Sequence, residues 1–310
     1  MSSRSSERQP DQAPAQEVSA EPGFSPLFNG HDLDGWYAVP RSYGPLWPGG
    51  PAVRDVMASM ADDYEEQAAA HPAQWEVVDG VLEGFQDPEV PGYGGYLVTD
   101  RAYADFELVL EMRPDWPADT GIMLRRRPDS WAGFQVLVDH RKSGSIGGFF
   151  GNGTGSFHAV PFALDVEHDA TGRPVALVEE DPATSSEPVT PDKVALLRRR
   201  GSAEDFLRHW RFDNWNSLRI RCVGALPTIT TWVNDVLVAE IDLATMQHPH
   251  YDAEAVAALL GRSGHIALEV HDNDAHFGDA RWGRGARCRW RNLHIRELPS
   301  ANGISTEHDR

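Results

Sequence analysis

Four side chains in this chain, Glu111, Arg125, Asp139 and His271, combine two carboxylates, a fixed cation and an imidazole. Together such groups can move a proton and stabilise the negative charge left behind. Their positions follow from the two-residue period of a strand, which sends alternate side chains to opposite faces. With Phe134, Val136 and Val138 turned to a core, Gln135, Leu137 and Asp139 face outward; with Ile266, Leu268 and Val270 inward, Ala267, Glu269 and His271 face outward. The same rule exposes Glu111, Arg113 and Arg125. Outer faces of antiparallel sheets are routinely charged without any function, but an idle face has no need of a histidine in the mixture.

A sheet face carrying carboxylates, arginine, imidazole and aromatic rings suits a polyhydroxylated ligand. Hydroxyls take charge-assisted hydrogen bonds, and sugar C–H faces pack on flat apolar surfaces. His271 also opens the run HDNDAHFG, in which His271, Asp272, Asp274 and His276 are residue types that ligate divalent metals. Asp139, followed by His140, would join the same ion if the two loops met. The spacing matches no specific metal motif, and Asp-Asn-Asp before Gly is equally turn chemistry.

The Gly-dense segment 143–162 contains Phe149, Phe150 and His158. It lacks a Gly-Lys-Ser/Thr ending and a following helix, so it is not a phosphate loop, and no nucleotide cofactor is expected. Its glycines instead permit tight turns or close backbone approach around those side chains. A lone histidine such as His158 is more often structural than catalytic. Neither Gly-x-Ser-x-Gly nor His-Glu-x-x-His occurs.

These groups are positioned by short strands expected at Trp75–Leu82, Tyr93–Val98, Phe106–Arg113, Gly121–Arg126, Phe134–Asp139, Trp215–Cys222, Thr228–Val238, His265–His271 and Arg287–Leu298. Phe106, Leu108, Leu110 and Met112 give the clearest alternation. Helical insertions are expected at about 51–71, 190–210 and 251–261, from Pro near helix starts, Thr190 and Ser202 as caps, and Gly201 and Gly261 as stops. The acidic stretch from Asp165 onward reads as a loop that, with the helices after it, walls or lids the sheet. The expected architecture is an all-β jelly-roll sandwich forming one domain over 23–299, with a polar leader at 1–22 read as disordered and a tail at 300–310.

The chain has 310 residues and a net charge of −19, which repels nucleic-acid phosphates and anionic lipid alike. No apolar run approaches the roughly 18–20 residues that span a bilayer, and the leader lacks a secretory apolar stretch. Cys222 and Cys288 both sit in strand-like runs, which fits reduced core thiols. A cytoplasmic protein without nucleic-acid or membrane partners is expected; its oligomeric state is not encoded in any motif.

An ordered set of segments resembles the 3-keto-disaccharide hydrolase family from Phe24 to Leu298: FSPLFNGHDLDGW, WEVVDGVLEG, FELVLEMR with GIMLRRR, GFQVLVDH, WNSLRIRCVG with TWVND, and GHIALEVHDN with CRWRNLHIREL. The resemblance implies a concanavalin A-like jelly roll acting on glycosides already oxidised to a ketone at C3. That ketone acidifies the proton on C2, so a base can remove it, the aglycone leaves C1, and water then adds to the unsaturated ketone. On this basis His271 is the expected base. Glu111, Asp139 or Glu269 would orient it or carry the proton to the leaving group, and Arg125 or a divalent metal held by His271, Asp272 and Asp139 would stabilise the enediolate. Gln135, Glu269, Arg113, His158 and Phe150 are expected to bind the sugar.

The chain departs from the family pattern at Gln135 and Leu137, where Glu and Gln are usual, at Glu269 and Asp272, where Gln and Gly are usual, and at Asn234-Asp235 in place of an Asn-Gly turn. Hydrolase, lyase and hydratase steps therefore stay open. The alternative from another class is a non-catalytic, lectin-like carbohydrate-binding module, since jelly rolls host both.

Overall fold

A computed structural model describes residues 21–57, 60–274 and 277–299. The leader up to residue 20, His276 and the tail from residue 300 lie outside them. The strands are β1 (Ser25–Pro26), β2 (Trp36–Pro40), β3 (Gln74–Val78), β4 (Val81–Phe85), β5 (Gly95–Thr99), β6 (Phe106–Pro114), β7 (Asp119–Arg126), β8 (Gly133–Asp139) and β9 (Ile146–Asn152). After them come β10 (His158–Ala159), β11 (Leu164–His168), β12 (Pro174–Glu179), β13 (Leu197–Arg200), β14 (Asn216–Val223), β15 (Thr228–Val233), β16 (Val236–Asp242), β17 (His265–Val270) and β18 (Cys288–Glu297). Short helices decorate them: α1 (Val53–Val56), α2 (Tyr64–Ala70), α3 (Pro191–Ala195), α4 (Ala203–His209), α5 (Ala253–Leu260) and α6 (Asp279–Trp282).

All strands but β11 and β12, which pair with each other, form two antiparallel sheets, as expected of a jelly-roll sandwich. One runs β13-β16-β15-β14-β6-β18-β4-β3, with β1 added to β18, and the other runs β10-β9-β8-β7-β17-β5-β2. Alternation explains how they close on each other: Leu108, Leu110 and Ile220 from the first sheet share one core with Phe134, Val136, Ile266 and Leu268 from the second. Cys222 and Cys288 are buried free thiols in it.

Turn chemistry divides two runs that the sequence pattern joins. Trp75–Leu82 is the hairpin β3–β4, because Asp79 and Gly80 both take positive φ (51° and 80°), the geometry of a two-residue primed turn. Thr228–Val238 divides into β15 and β16 at Asn234 and Asp235, with φ of 47° and 65°.

The insertions also differ in detail. Residues 51–71 make two short helices, α1 and α2, rather than one. The acidic stretch after Asp165 folds in part into the hairpin β11–β12, and the Gly-dense segment supplies strands β9 and β10. The caps read from sequence are present: Thr190 Oγ1 accepts from the Lys193 amide, and Ser202 Oγ accepts from the Asp205 amide at 3.1 Å.

His140, directly after β8, is 2 % exposed. Burial pushes its pKa from 6.5 down to about 4. A folded value below the unfolded one gives stability that is complete above pH 6.5 and is lost as pH falls toward 4. The loss should reach roughly 3 kcal/mol at one pH unit per 1.36 kcal/mol. Denaturant midpoints measured at pH 7 and pH 4 should therefore converge in His140→Phe relative to the unsubstituted protein; equal acid sensitivity in both would contradict this.

Candidate active site

The smaller sheet places its chemistry in one row. Leu268 of β17 pairs with Ile122 of β7, and Asp119 of β7 pairs with Asp139 of β8. Three residues further along from the first pair, His271 lies opposite Asp119, so imidazole, carboxyl and carboxyl follow one another across adjacent strands. They line a cleft of about 210 Å³ on the outer face of this sheet, together with Arg41, Arg141 and Arg281. That volume is below the roughly 300–1,000 Å³ of drug-sized ligand sites and suits a single sugar ring.

His271 is held in one tautomer. Its Nδ1–H donates to the Asp272 carbonyl oxygen at 2.7 Å, so the Nε2 lone pair faces Arg41 Nη2 at 3.1 Å, while the Arg281 guanidinium lies along the ring, with Nη2 3.3 Å from Nε2 and Nε 3.4 Å from Nδ1. Gln86 Nε2 donates to the His271 carbonyl at 2.8 Å and fixes its backbone. Burial, followed by the Arg41 and Arg281 charges, lowers its pKa. The imidazole is therefore neutral at pH 7 and competent as a base. Asp119 Oδ2, 4.0 Å from Nε2, is placed to stabilise the imidazolium that forms when His271 accepts a proton.

The two aspartates are driven apart. Burial would raise Asp119, but the guanidiniums of Arg281 (Nε to Oδ2, 3.1 Å), Arg141 and Arg41 hold it below the usual carboxylate range. Burial and then the Asp119 charge raise Asp139 well above that range, against Arg141 Nη2 at 3.1 Å. The two carboxyl groups, side by side, are thus pushed in opposite directions, the arrangement that separates a base or stabiliser from a proton donor.

Arg41, just beyond β2 and 4 % exposed, ties the site to its support. It ion-pairs with fully buried Glu269, donates to Asp272 Oδ1 at 2.9 Å and to the Tyr96 hydroxyl at 2.8 Å. Asp272 accepts further from Tyr43 at 2.8 Å and Tyr64 at 2.9 Å. Although burial opposes it, the His271 hydrogen bond and the Arg41 charge hold Asp272 below the ordinary range. Gln135 donates to Glu269 Oε2 and accepts from Asn152 Nδ2. Trp131, Tyr43, Leu46 and Phe150 supply apolar and aromatic wall, and Tyr43 meets Trp131 edge-on at 5.3 Å.

Of the residues expected from sequence, His271, Asp139, Gln135, Phe150 and His158 line the cleft, and Glu269 and Asp272 support it from beneath. Three do not belong to it. Glu111 and Arg113 lie on β6 of the other sheet, where Glu111 pairs with Arg291 at 2.9 Å and Arg113 covers the Trp215 ring. Parity separates inner from outer faces without telling one sheet's outer face from the other's.

Arg125 turns away through a bulge. Its φ is 55°, and opposite it Gly264 has no Cβ, which would sit 2.5 Å from the Arg125 backbone. Its guanidinium consequently reaches the Gly224 carbonyl at 3.0 Å and Asp105 at 3.4 Å, and Arg126 takes the outer side over Tyr96.

Arg41, Asp119, Arg141, Glu187 and Arg281 went unread in the sequence. Asp119 carried a signal: a strand start two residues before Gly121 puts it in the His271 row. The others come from loops and a four-residue helix, where no period applies. Glu187 reaches the cleft mouth from the 165–210 insertion, 2.9 Å from Arg141 Nη2.

His271, Asp272 and Asp139 do not fit a metal. The Asp272 carboxylate is occupied by Tyr43, Tyr64 and Arg41, Asp139 is turned to Arg141, and three guanidiniums stand among them where a cation would bind. Among the described residues, no three His, Cys, Asp or Glu side chains converge as a ligand set.

A family model described as a 3-keto-alpha-glucoside-1,2-lyase-like domain matches residues 23–296. No curated protein matches the chain significantly. Among solved structures, a candidate glycosyl hydrolase from Parabacteroides distasonis is similar at 13% identity and a TM-score of 0.42, over 89% of this chain and 95% of that one. The carbohydrate-binding module CBM66 from Bacillus subtilis is similar at 12% identity and 0.38, over 73% and 92%. A Bacillus subtilis protein of unknown function with a galectin-like fold is similar at 9% identity and 0.35, over 86% and 99%.

Proposed function

The chain belongs to the 3-keto-alpha-glucoside-1,2-lyase-like family, and on that premise we propose that it cleaves glycosides whose sugar carries a ketone at C3. The observation that carries this reading is the row of His271, Asp119 and Asp139 across adjacent strands in one cleft among three arginines, with burial and the neighbouring charges lowering the pKa of His271 and Asp119 and raising that of Asp139. His271 Nε2 removes the C2 proton. The electron pair moves to the C3 oxygen, whose negative charge Arg41 and Arg281 offset, the two guanidiniums that already converge on Nε2. As the ketone re-forms, the C1–O bond breaks and Asp139 gives its proton to the departing oxygen. This leaves His271 protonated and Asp139 ionised, so the same pair can add water across the new double bond in reverse.

The direct test is release of aglycone from a 3-keto-glucoside and from its unoxidised parent. Release from the ketone alone is expected, because only there is C2–H acidic; binding of both without release would leave a lectin. Asp139→Asn discriminates further. It should slow release of a sugar leaving group by about 10²-fold but release of 4-nitrophenol by less than about 10-fold, since a good leaving group needs little protonation. Equal losses on both would remove Asp139 as the acid.

A further inference from the structure

A second cavity, of about 960 Å³, adjoins the cleft, and His158 lines both. Its walls include Ser156, Lys193, Thr245, Gln247 and His248. The strand order gives it a direction. His271 follows β17, Asp139 ends β8 and His158 stands on β10, with sheet order β17-β7-β8-β9-β10. At roughly 4.8 Å per strand, the acid lies about 10 Å from β17, and His158 lies two strands further on the same side, in the row of Gln135 four residues along β8 from the acid. A base acting at C2 and an acid acting at the oxygen on C1 oblige the leaving group to extend from the acid away from the base, which is toward this groove.

The lining specifies the ligand. Lys193 donates to the Pro188 carbonyl at 2.9 Å and the Glu187 carbonyl at 3.4 Å, two of the three protons an ammonium offers. Burial followed by the Lys193 charge takes the His158 pKa down to about 4, so this imidazole is a neutral hydrogen-bonding group. Lys193 and Arg198 are matched by Asp192 and Asp242, so the groove favours no ionic sign. Neutral polar groups interleaved with apolar Leu196, Leu197 and Met246, along a space far larger than the single-ring cleft, suit a run of rings with hydroxyl edges and C–H faces.

We infer that this groove is a leaving-group subsite for a chain of several sugar units, so that the preferred substrate is an oligosaccharide oxidised at its terminal ring; this rests on the eliminase reading of the cleft. The test uses cellobiose with cellotetraose and maltose with maltotetraose, each oxidised at C3 of the non-reducing ring. In one series at least, kcat/KM should be about 10-fold higher for the tetrasaccharide, and the ratio should fall to near one in Lys193→Met/Gln247→Ala, as lost hydrogen bonds predict. Calorimetric titration with the unoxidised tetrasaccharides reads the groove apart from the chemistry, and binding weakened by the double substitution is expected. Ratios near one in both series, or tetrasaccharide binding that is absent or indifferent to the substitutions, would overturn the inference. Should no ketone substrate react, the eliminase reading fails by itself and the titration alone decides the groove.

Discussion

His271→Ala should lower kcat/KM on a 3-keto-glucoside by about 10³- to 10⁴-fold, toward the upper end of what one positioned base contributes. The imidazole has a fixed tautomer, with Nδ1–H on the Asp272 carbonyl and Nε2 in the cleft. The remaining arginines can still polarise a ketone, so residual activity should exceed the rate in water. The unsubstituted protein should give a bell-shaped profile. His271 must be neutral, and its depressed pKa puts the acid limb below pH 6.5; Asp139 must be protonated, and its raised pKa sets the alkaline limb. In His271→Ala the acid limb should disappear while the alkaline one persists. Retention of full activity, or of an unchanged acid limb, would assign the base elsewhere, with Asp119 the next group in the row.

The sandwich was legible because its signal is a strict period of two repeated in long segments such as Phe106–Arg113 and Phe134–Asp139. The site was legible only where it rides on that period. Asp139 and Gln135 on β8 and Glu269 and His271 on and after β17 fell on the face they were assigned. Arg125 failed because its own positive φ turns it off the outer face and leaves Arg126, the last residue of β7, there instead, a bulge that the missing Cβ of Gly264 across the ladder leaves room for. Glu111 failed for want of strand order: β6 pairs with β14 and β18, a fact set by contacts more than 100 residues apart in sequence.

The arginines were hidden for a related reason. Arg41 and Arg281 follow from no repeat; each is delivered by a connection whose path depends on the sandwich already being closed. The helical excursion after β2 carries Val53, Met57 and Tyr64 onto the site. Insertions of this kind cost little in loop-closure entropy and are free to build walls that the sheet itself lacks.

That dependence gives Arg41→Met an expected effect on both stability and activity. Arg41 offsets two buried carboxylates, Glu269 and Asp272, and donates to the base. Removing one partner of a buried ion pair leaves uncompensated charge and typically costs about 3–5 kcal/mol, a large part of the stability of most domains. The variant should unfold at clearly lower denaturant and, where folded, lose activity beyond what instability accounts for, because one of the two guanidiniums proposed to offset the C3 oxygen charge is gone. The double variant Arg41→Met/Glu269→Gln separates the two effects. Neutralising Glu269 removes one stranded charge, so stability should recover by about 1–3 kcal/mol, while kcat/KM stays depressed. Recovery of activity along with stability would make Arg41 a structural residue only, and the burden of stabilising the enediolate would pass to Arg281.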